Sequence, residues 1–323
     1  MKKLIRFLIL TYLFIPICVF AYSDYIIASG KNIGIELKSD NVIVVGSYLI
    51  NNHNNLLESD IKLGDKILKI DDYNINSVEE LHDVISNIDK DNVTITYKRN
   101  GINATTNLNL YNDNGEMKTG LYVRDTIRGV ATLTYIDAGN KTFGALGHEI
   151  LEKSTKSKFE ADSGKIFYSS VTGITKSSDG DPGEKNARSD SDYVYGDVIE
   201  NTTSGIFGKY TDTLPTSKTY KVAKPSEVKT GDAKILTVVD GDIPEFFNIN
   251  ILKLNENSKT KNILFEVTDK KLLEIAGGIV QGMSGSPIIQ GDNIVGAVNF
   301  VVVDRTNKGY GIFITNMLEE AEN

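Results

Sequence analysis

The chain has 323 residues, of which 40% are hydrophobic and 24% are charged, and its formal net charge is −8 at pH 7. This length is sufficient for two globular domains with packed cores. An acidic chain lacks the basic surface that nucleic-acid binding requires, so we expect no nucleic-acid partner.

The first 21 residues predict an export signal. Lys2, Lys3 and Arg6 precede an apolar run, and Ala21 ends the segment with a small residue suited to signal peptidase. The run is shorter than the roughly twenty residues of a membrane span, which favours cleavage. The alternative is a retained anchor that contacts the membrane.

The cysteine and histidine content limits the chemistry that the chain can perform. The one cysteine, Cys18, lies in the export segment, so the mature chain would have no disulfide and no cysteine nucleophile. Three histidines do not form a dense ligand cluster, so we expect no metal and no cofactor.

Residues 25–111 predict a small α+β domain. Ser77 and Glu80 have the spacing of a capping box at the start of an amphipathic helix. A turn at 39–41 is expected to separate the first two strands. Apolar or alternating patterns predict strands at 33–37, 42–45, 93–97 and 105–110.

This small domain resembles the PDZ domains of exported bacterial proteases. The resemblance rests on Leu63-Gly64-Asp65 before a strand and Asn76-Ser77 before a helix. PDZ domains bind an extended peptide by strand addition, which implies a peptide-binding role for Ile33, Gly34 and Ile35. The sequence departs here from the usual Gly-Leu-Gly-Phe pattern, and a domain used only for scaffolding or self-inhibition is the alternative.

The polar segment 111–118 predicts a domain boundary, and residues 119–323 form the second predicted domain. Short β-type runs with frequent turns recur through it and predict an all-β pair of barrels. The segment 177–192 is rich in Ser, Gly, Asp and Lys, and predicts a mobile surface loop. Its acidic residues are not expected to form a calcium site.

The segment 277–290, GGIVQGMSGSPIIQ, places Ser284 between two glycines. Glycine on both sides permits a tight turn in which the N–H groups of Gly282 and Ser284 hold a developing oxyanion. The segment therefore predicts a catalytic serine followed by a β-hairpin. The alternative is an inert Ser–Gly surface loop, and Ser286 is the competing hydroxyl.

A serine nucleophile needs a base, and His148 is the candidate. His53 lies in a polar turn and His82 in a charged helical pattern, so both are expected to face solvent. His148 lies among glycines and small apolar residues, where a neutral imidazole can accept and return a proton. A purely structural histidine is the alternative.

The group that would orient this imidazole is not determined by spacing. Asp269 ends an apolar run just before the serine segment. Asp197, in Tyr195-Gly196-Asp197-Val198, is the main rival.

The second half of the chain resembles the stage IV sporulation protein B peptidases of spore-forming bacteria. The resemblance is carried by the runs 129–134, 143–148, 182–185, 205–208, 235–241 and 268–287. It implies a mainly β protein in which the PDZ-like domain precedes a trypsin-like double β-barrel. It also implies that His148, Asp269 and Ser284 are the catalytic residues. The aspartate precedes the serine by only fifteen positions, which departs from the trypsin pattern.

The same resemblance implies a role in sporulation. Members of this family are exported to the space between mother cell and forespore. There they cleave a membrane-associated regulatory partner of a membrane-embedded protease, and themselves, which leads to activation of a late sigma factor. The alternative function is a secreted peptide-binding adaptor whose protease half is inert.

Overall fold

The computed structural model of the protein describes residues 22–322. The predicted export segment, residues 1–21, lies outside the described residues. Within 22–322, no helix is both long enough and apolar enough to cross a membrane.

Strands dominate the described part of the chain. They are β1 (Tyr25–Ala28), β2 (Asn32–Ser47), β3 (Lys66–Ile70), β4 (Tyr73–Asn74), β5 (Asn92–Arg99), β6 (Ile102–Asn109), β7 (Tyr111–Asp113), β8 (Glu116–Lys118), β9 (Leu121–Asp137), β10 (Thr142–Ala145), β11 (Ser163–Thr175), β12 (Glu184–Thr202), β13 (Gly205–Tyr210), β14 (Thr219–Val222), β15 (Gly231–Thr237), β16 (Glu245–Leu254), β17 (Ile263–Val267), β18 (Pro287–Gln290), β19 (Asn293–Val301) and β20 (Lys308–Phe313). The α-helices are α1 (Asn55–Glu58), α2 (Val78–Ser86), α3 (Lys270–Ala276) and α4 (Ile314–Glu320), and Pro225–Glu227 forms one 3₁₀ turn.

Six strands close into a first barrel. Hydrogen bonding runs from β2 through β9, β10, β13, β12 and β11 and back to β2. Apolar side chains from these strands fill the interior, among them Ile33, Phe143 and Ile206, which are fully buried. Closure removes the free edges that an open sheet would expose.

Six further strands close into a second barrel in the order β15, β16, β17, β20, β19, β18 and back to β15. Its interior is packed with Phe247, Phe265 and Val298. Two closed six-stranded barrels in one chain confirm the predicted double β-barrel. The expected hairpin after the serine segment is confirmed as β18 and β19.

A third apolar cluster joins the two barrels. It includes Tyr135 of the first barrel and Ile294 of the second, together with Met317 of α4. Strand β1 pairs with both β9 and β14, and β14 pairs in parallel with β19. The N-terminal strand therefore fastens one barrel to the other.

The small domain has its own core, which runs from Val42 to Leu121. The predicted helix is α2, and the Ser77 hydroxyl accepts the N–H of Glu80 at 3.1 Å. The Glu80 carboxylate accepts the N–H of Asn76 at 2.8 Å and not that of Ser77, so the predicted capping box is shifted by one residue. The closing hairpin is confirmed as β5 and β6.

The N-terminal side of this domain differs from the prediction. No turn forms at 39–41, because β2 is one continuous strand that bulges after Lys38 and stays paired with β9 on both sides of the bulge. The Asp162 carboxylate accepts the N–H of Asp40 at 2.7 Å and thereby satisfies the bulged backbone. As a result, the first half of β2 belongs to the first barrel.

This arrangement corrects the peptide-binding prediction for Ile33, Gly34 and Ile35. In β2 these residues pair with β9 on one edge and with β11 on the other. The side chains of Ile33 and Ile35 are 0% and 2% exposed. A peptide cannot add to a strand whose two edges are already hydrogen-bonded.

The segment 177–192 also differs from the predicted surface loop. Its second part, from Glu184, is the start of β12, which pairs with β11 as far as Thr175. The polar side chains of this hairpin are largely exposed. Cross-strand hydrogen bonding therefore maintains a strand that the apolar pattern does not reveal.

We predict that a fragment beginning at Thr119, the predicted domain boundary, will not fold. It lacks the β2 strand and with it three buried aliphatic side chains, Ile33, Ile35 and Leu37. Burial of each is worth about 1.5–3 kcal/mol, so the loss approaches the whole stability of a typical domain. Thermal unfolding followed by circular dichroism should show no cooperative transition.

The matched control removes the small domain but keeps the barrel strand. Lys38 and Thr126 are cross-strand partners, so a two-residue Asn-Gly turn inserted between them would join β2 directly to β9. This chain should unfold cooperatively. A cooperative transition in the Thr119 fragment would show that β2 is dispensable.

Candidate active site

The serine loop, defined here as residues 277–286, connects α3 to β18. Helix α3 ends at Gly277, whose φ of 75° is left-handed. Gly282 and Gly285 have φ angles of 92° and 94°. A Cβ on Gly285 would lie 2.1 Å from the carbonyl oxygen of Thr132, so only glycine fits at that position.

Hydrogen bonds to two carbonyls of this loop fix the direction of two backbone N–H groups. The Gln281 carbonyl accepts the N–H of Lys185 at 2.9 Å. The Met283 carbonyl accepts the N–H of Ser286 at 2.9 Å and its hydroxyl at 2.7 Å. A trans peptide unit is planar, with its C=O and N–H on opposite sides. The N–H groups of Gly282 and Ser284 therefore point away from these bonds.

Neither of these two N–H groups has a hydrogen-bond partner among residues 22–322. Unpaired backbone donors are rare in folded proteins and usually await a ligand or water. Gly282 and Ser284 are the residues that the sequence predicts as oxyanion donors, and the structure leaves both donors available.

His148 follows β10 through a turn in which Leu146 and Gly147 have φ angles of 74° and 78°. Its Nδ1 lies 2.8 Å from the carbonyl oxygen of Glu149. A carbonyl oxygen can only accept, so Nδ1 carries the proton and Nε2 is the basic nitrogen. Burial lowers the pKa of the imidazole and so favours its neutral form. The hydrogen bond to the Glu149 carbonyl has a smaller, opposing effect.

The end of β19 contacts both the histidine and the serine. The His148 ring stacks on Phe300, with centroids 5.2 Å apart and an interplanar angle of 18°. The neighbouring residue, Asn299, accepts the Ser284 hydroxyl through its carbonyl at 2.9 Å. The serine proton is thus held by Asn299 and not by His148. Catalytic hydrogen bonds often form only when substrate is bound.

The structure does not place Asp269 against His148. The Asp269 carboxylate caps α3, where it accepts the N–H of Leu272 at 3.2 Å, and it also accepts the backbone N–H of Asn248 at 3.1 Å. Asp197 lies exposed on β12. The group that fixes the imidazole tautomer here is the Glu149 carbonyl, which no sequence pattern identifies. The other two histidines, His53 and His82, are exposed, as predicted.

A cleft of about 1070 Å³ opens beside His148. Its apolar lining includes Ile35, Leu146 and Phe300. Four cationic side chains also line it, and these are Arg124, Arg128, Lys153 and Lys259. Arg124 and Arg128 form ion pairs with Glu152 and Glu36. The volume and the mixed lining suit a stretch of substrate polypeptide next to the base.

Comparison with known proteins identifies the family of this chain. The sequence profile of the family described as SpoIVB peptidase S55 matches residues 115–318, and that of the PDZ domain matches residues 32–110. The chain belongs to the SpoIVB peptidase family. It is therefore a sporulation serine endopeptidase with a PDZ domain, which acts on a protein or peptide substrate.

Solved structures give weaker matches to this SpoIVB peptidase. Human heparin binding protein is 10% identical, with 56% of this chain and 73% of that chain covered and a TM-score of 0.29. A double mutant of the same human protein is 11% identical, with 56% and 72% covered and a TM-score of 0.29. No curated protein matches the chain in sequence.

Lys185 is a residue of the peptidase site that the motif analysis did not single out. It is only 6% exposed, and its amino group lies 3.0 Å from the Thr237 hydroxyl and 3.3 Å from the Thr132 hydroxyl. Burial lowers the pKa of this amine to about 7. Two sequence signals were available. Lys185 belongs to the run 182–185 that carries the family resemblance, and it lies between two polar residues, Glu184 and Asn186, in a strand, where every second side chain turns inward.

We predict that Lys185 makes the stability of the peptidase rise with pH above 7. The folded-state pKa of about 7 lies below the ordinary value of 10.5, so the unfolded chain binds one more proton between these values. The free energy of unfolding should therefore increase with pH there, with a slope approaching about 1.4 kcal/mol per pH unit. Urea unfolding at pH 7.0, 8.0 and 9.0 measures it.

Lys185→Met is the matched variant, because it keeps the length of the stem and removes the amine. Its free energy of unfolding should increase less steeply with pH above 7 than that of the wild type. Equal pH slopes in the two proteins would show that Lys185 has an ordinary pKa in the folded chain.

Proposed function

We propose that the protein is an exported endopeptidase that cleaves a regulatory partner of a membrane-embedded protease, and itself, and so leads to activation of a late sigma factor. The observation that carries the peptidase chemistry is the serine loop. In it, Ser284 lies between two left-handed glycines, and two backbone donors are left unpaired. The family membership supports the role in sporulation.

The reaction starts when the Ser284 hydroxyl leaves the Asn299 carbonyl and turns to Nε2 of His148. The imidazole takes the hydroxyl proton as Oγ attacks the scissile carbonyl carbon. The oxygen of that carbonyl becomes the oxyanion, which the N–H groups of Gly282 and Ser284 stabilise. His148 then returns the proton to the leaving amine, and water hydrolyses the acyl-enzyme by the same route.

Export to the space between the mother cell and forespore membranes is part of this proposal. It rests on the sequence of residues 1–21, in which cationic residues precede a short apolar run. N-terminal sequencing of the mature protein tests it. A mature chain that begins at or soon after Tyr22 supports export with cleavage by signal peptidase. A chain that begins at Met1 contradicts cleavage and leaves the retained anchor.

We expect Ser284→Ala to fold normally and to lose cleavage of itself and of a partner chain. Loss of the nucleophile typically costs several orders of magnitude in rate, whereas loss of one half-buried hydroxyl hardly affects packing. A fluorophosphonate label with mass-spectrometric mapping measures the result directly. Wild type should carry the label on Ser284, and an inert adaptor would carry none.

Ser286→Ala is the control for the competing hydroxyl. Ser286 is 0% exposed, and its hydroxyl holds the Met283 carbonyl, so it cannot reach a substrate. This variant should be slower than wild type and should still be labelled on Ser284. An active Ser284→Ala beside an inactive Ser286→Ala would reverse the assignment of the nucleophile.

The orienting role that the family resemblance implies for Asp269 stays a prediction, and the geometry supports a positioning role. Asp269 caps α3, and α3 leads into the serine loop. Asparagine is as good a cap as aspartate. We therefore expect Asp269→Asn to keep peptidase activity within about tenfold of wild type. Asp269→Ala, which removes the cap, should lose about 1 kcal/mol of stability.

Peptide cleavage rates of the purified variants, with circular dichroism to verify folding, measure this. A fall of about four orders of magnitude in folded Asp269→Asn is the behaviour of a triad carboxylate. That result would show that the carboxylate reaches the imidazole during catalysis. Asp197→Asn is the matched control and should behave like wild type.

A further inference from the structure

The buried amino group of Lys185 has hydroxyl partners and no carboxylate partner among the described residues. Thr132 of β9 and Thr237 of β15 are both 0% exposed, and both lie within hydrogen-bond distance of Nζ. An ammonium group placed in a protein interior without a counter-ion is costly. A lysine in such a place calls for a functional explanation.

Thr132 connects this amine to the serine loop. Its hydroxyl donates to the carbonyl of Gly282 at 2.9 Å, and its N–H donates to the carbonyl of Ser284 at 3.0 Å. The Ser286 hydroxyl lies 3.5 Å from the same Thr132 oxygen. Because the Thr132 hydroxyl gives its proton to Gly282, it accepts from Lys185. Two hydrogen bonds in sequence, through the Thr132 hydroxyl, thus connect the amine to a loop carbonyl.

The stem of Lys185 supports the same residue from another direction. A Cβ on Gly282 would lie 3.1 Å from both Cβ and Cδ of Lys185, so the two residues are in close packing contact. The backbone N–H of Lys185 also holds the Gln281 carbonyl at 2.9 Å. That bond is the one that turns the N–H of Gly282 outward.

We infer that Lys185 is a positioning residue of the oxyanion hole. It holds the Gly282 carbonyl through Thr132, and its own backbone N–H holds the Gln281 carbonyl, whose peptide unit carries the N–H of Gly282. Its ammonium also places a positive charge near the loop that receives the oxyanion. This inference rests on the proposed peptidase function of Ser284. A fixed charge in a water-poor site stabilises a developing negative charge more than it does in water.

This role predicts that the reaction rate of Ser284 falls at both acidic and alkaline pH. The side chains that accept from the amine are Thr132 of β9 and Thr237 of β15, and neither is charged. Ser286 of the serine loop, which contacts Thr132, is also uncharged. Burial lowers the pKa of Lys185 to about 7 and lowers the pKa of His148 below its ordinary value. Reactivity should rise as His148 loses its proton and fall as Lys185 loses its proton.

The test is the rate at which a fluorophosphonate modifies Ser284, because the phosphoryl oxygen of this probe occupies the oxyanion hole. The full-length protein is used, and the rate constant and the probe affinity are measured from pH 5.5 to 9.5. Lys185→Met should lower the maximal rate constant, by at most the roughly 10²- to 10³-fold that loss of a direct oxyanion donor costs, and leave the affinity unchanged. The alkaline fall in rate should disappear.

Two further variants keep the test decisive. Thr132→Val preserves shape and removes the hydroxyl link, so it should slow Ser284 modification even if Lys185→Met does not fold. Lys165→Met removes an exposed lysine of the neighbouring strand β11 and should match wild type at every pH. In the double variant, the losses from Lys185→Met and Thr132→Val should be less than additive.

The outcomes separate this inference from the proposed function. No labelling of Ser284 in wild type would overturn the peptidase proposal itself. Labelling in wild type, with the same rate and pH profile in folded Lys185→Met, would overturn the role of Lys185 alone. An alkaline fall that persists in Lys185→Met would assign that limb to another group and would likewise overturn the inference.

Discussion

The hydrogen bonds between Thr132 and the serine loop are the contact on which the site depends. Thr132 belongs to β9 of the first barrel, and the loop enters β18 of the second. The N–H and hydroxyl of this one residue fix the carbonyls of Ser284 and Gly282. The nucleophile carried by one barrel is therefore held in place by the wall of the other. The apolar cluster around Tyr135 packs the two barrels against each other.

Within this frame, catalytic geometry arises from backbone groups as much as from side chains. The Glu149 carbonyl selects the imidazole tautomer, and the Met283 and Gln281 carbonyls set the direction of the two free donors. Backbone groups cannot rotate independently of their peptide planes, so they give more rigid positions than long side chains do. The orientation of the site is thus a property of the folded loop.

Features that depend on near neighbours in the chain were predictable from the sequence. The glycines around Ser284 signal a tight turn, Ser77 signals a helix start, and the apolar pairs of β5 and β6 signal a hairpin. Each rests on contacts between residues close in sequence, where pattern and conformation are directly linked. The assignment of Ser284 and His148 as candidates belongs to the same class, since both lie in glycine-rich turns.

Features that depend on distant partners were not predictable. The run at 33–37 has the apolar pattern of a buried strand, and nothing local distinguishes a barrel strand from the edge of a PDZ groove. Its partners, β9 and β11, follow it by about ninety residues or more. In the sequence, Lys185 is likewise one charged residue in a polar segment. Only the fold places its amine beside the hydroxyls of Thr132 and Thr237. For Asp269, sequence gives proximity to the serine but not the direction of the carboxylate.

The position of β1 has a consequence for how the chain folds. Ile27 and Ala28 pair with β9, but Tyr25 pairs with Lys221, so β1 completes its pairing only after β14 has been synthesised. Contacts of such long sequence separation slow folding and leave strand edges exposed in the meantime. The small domain has a core confined to residues 42–121 and can form much earlier. Folding of this peptidase would thus begin in its small domain, and the contacts that join the two barrels would form later.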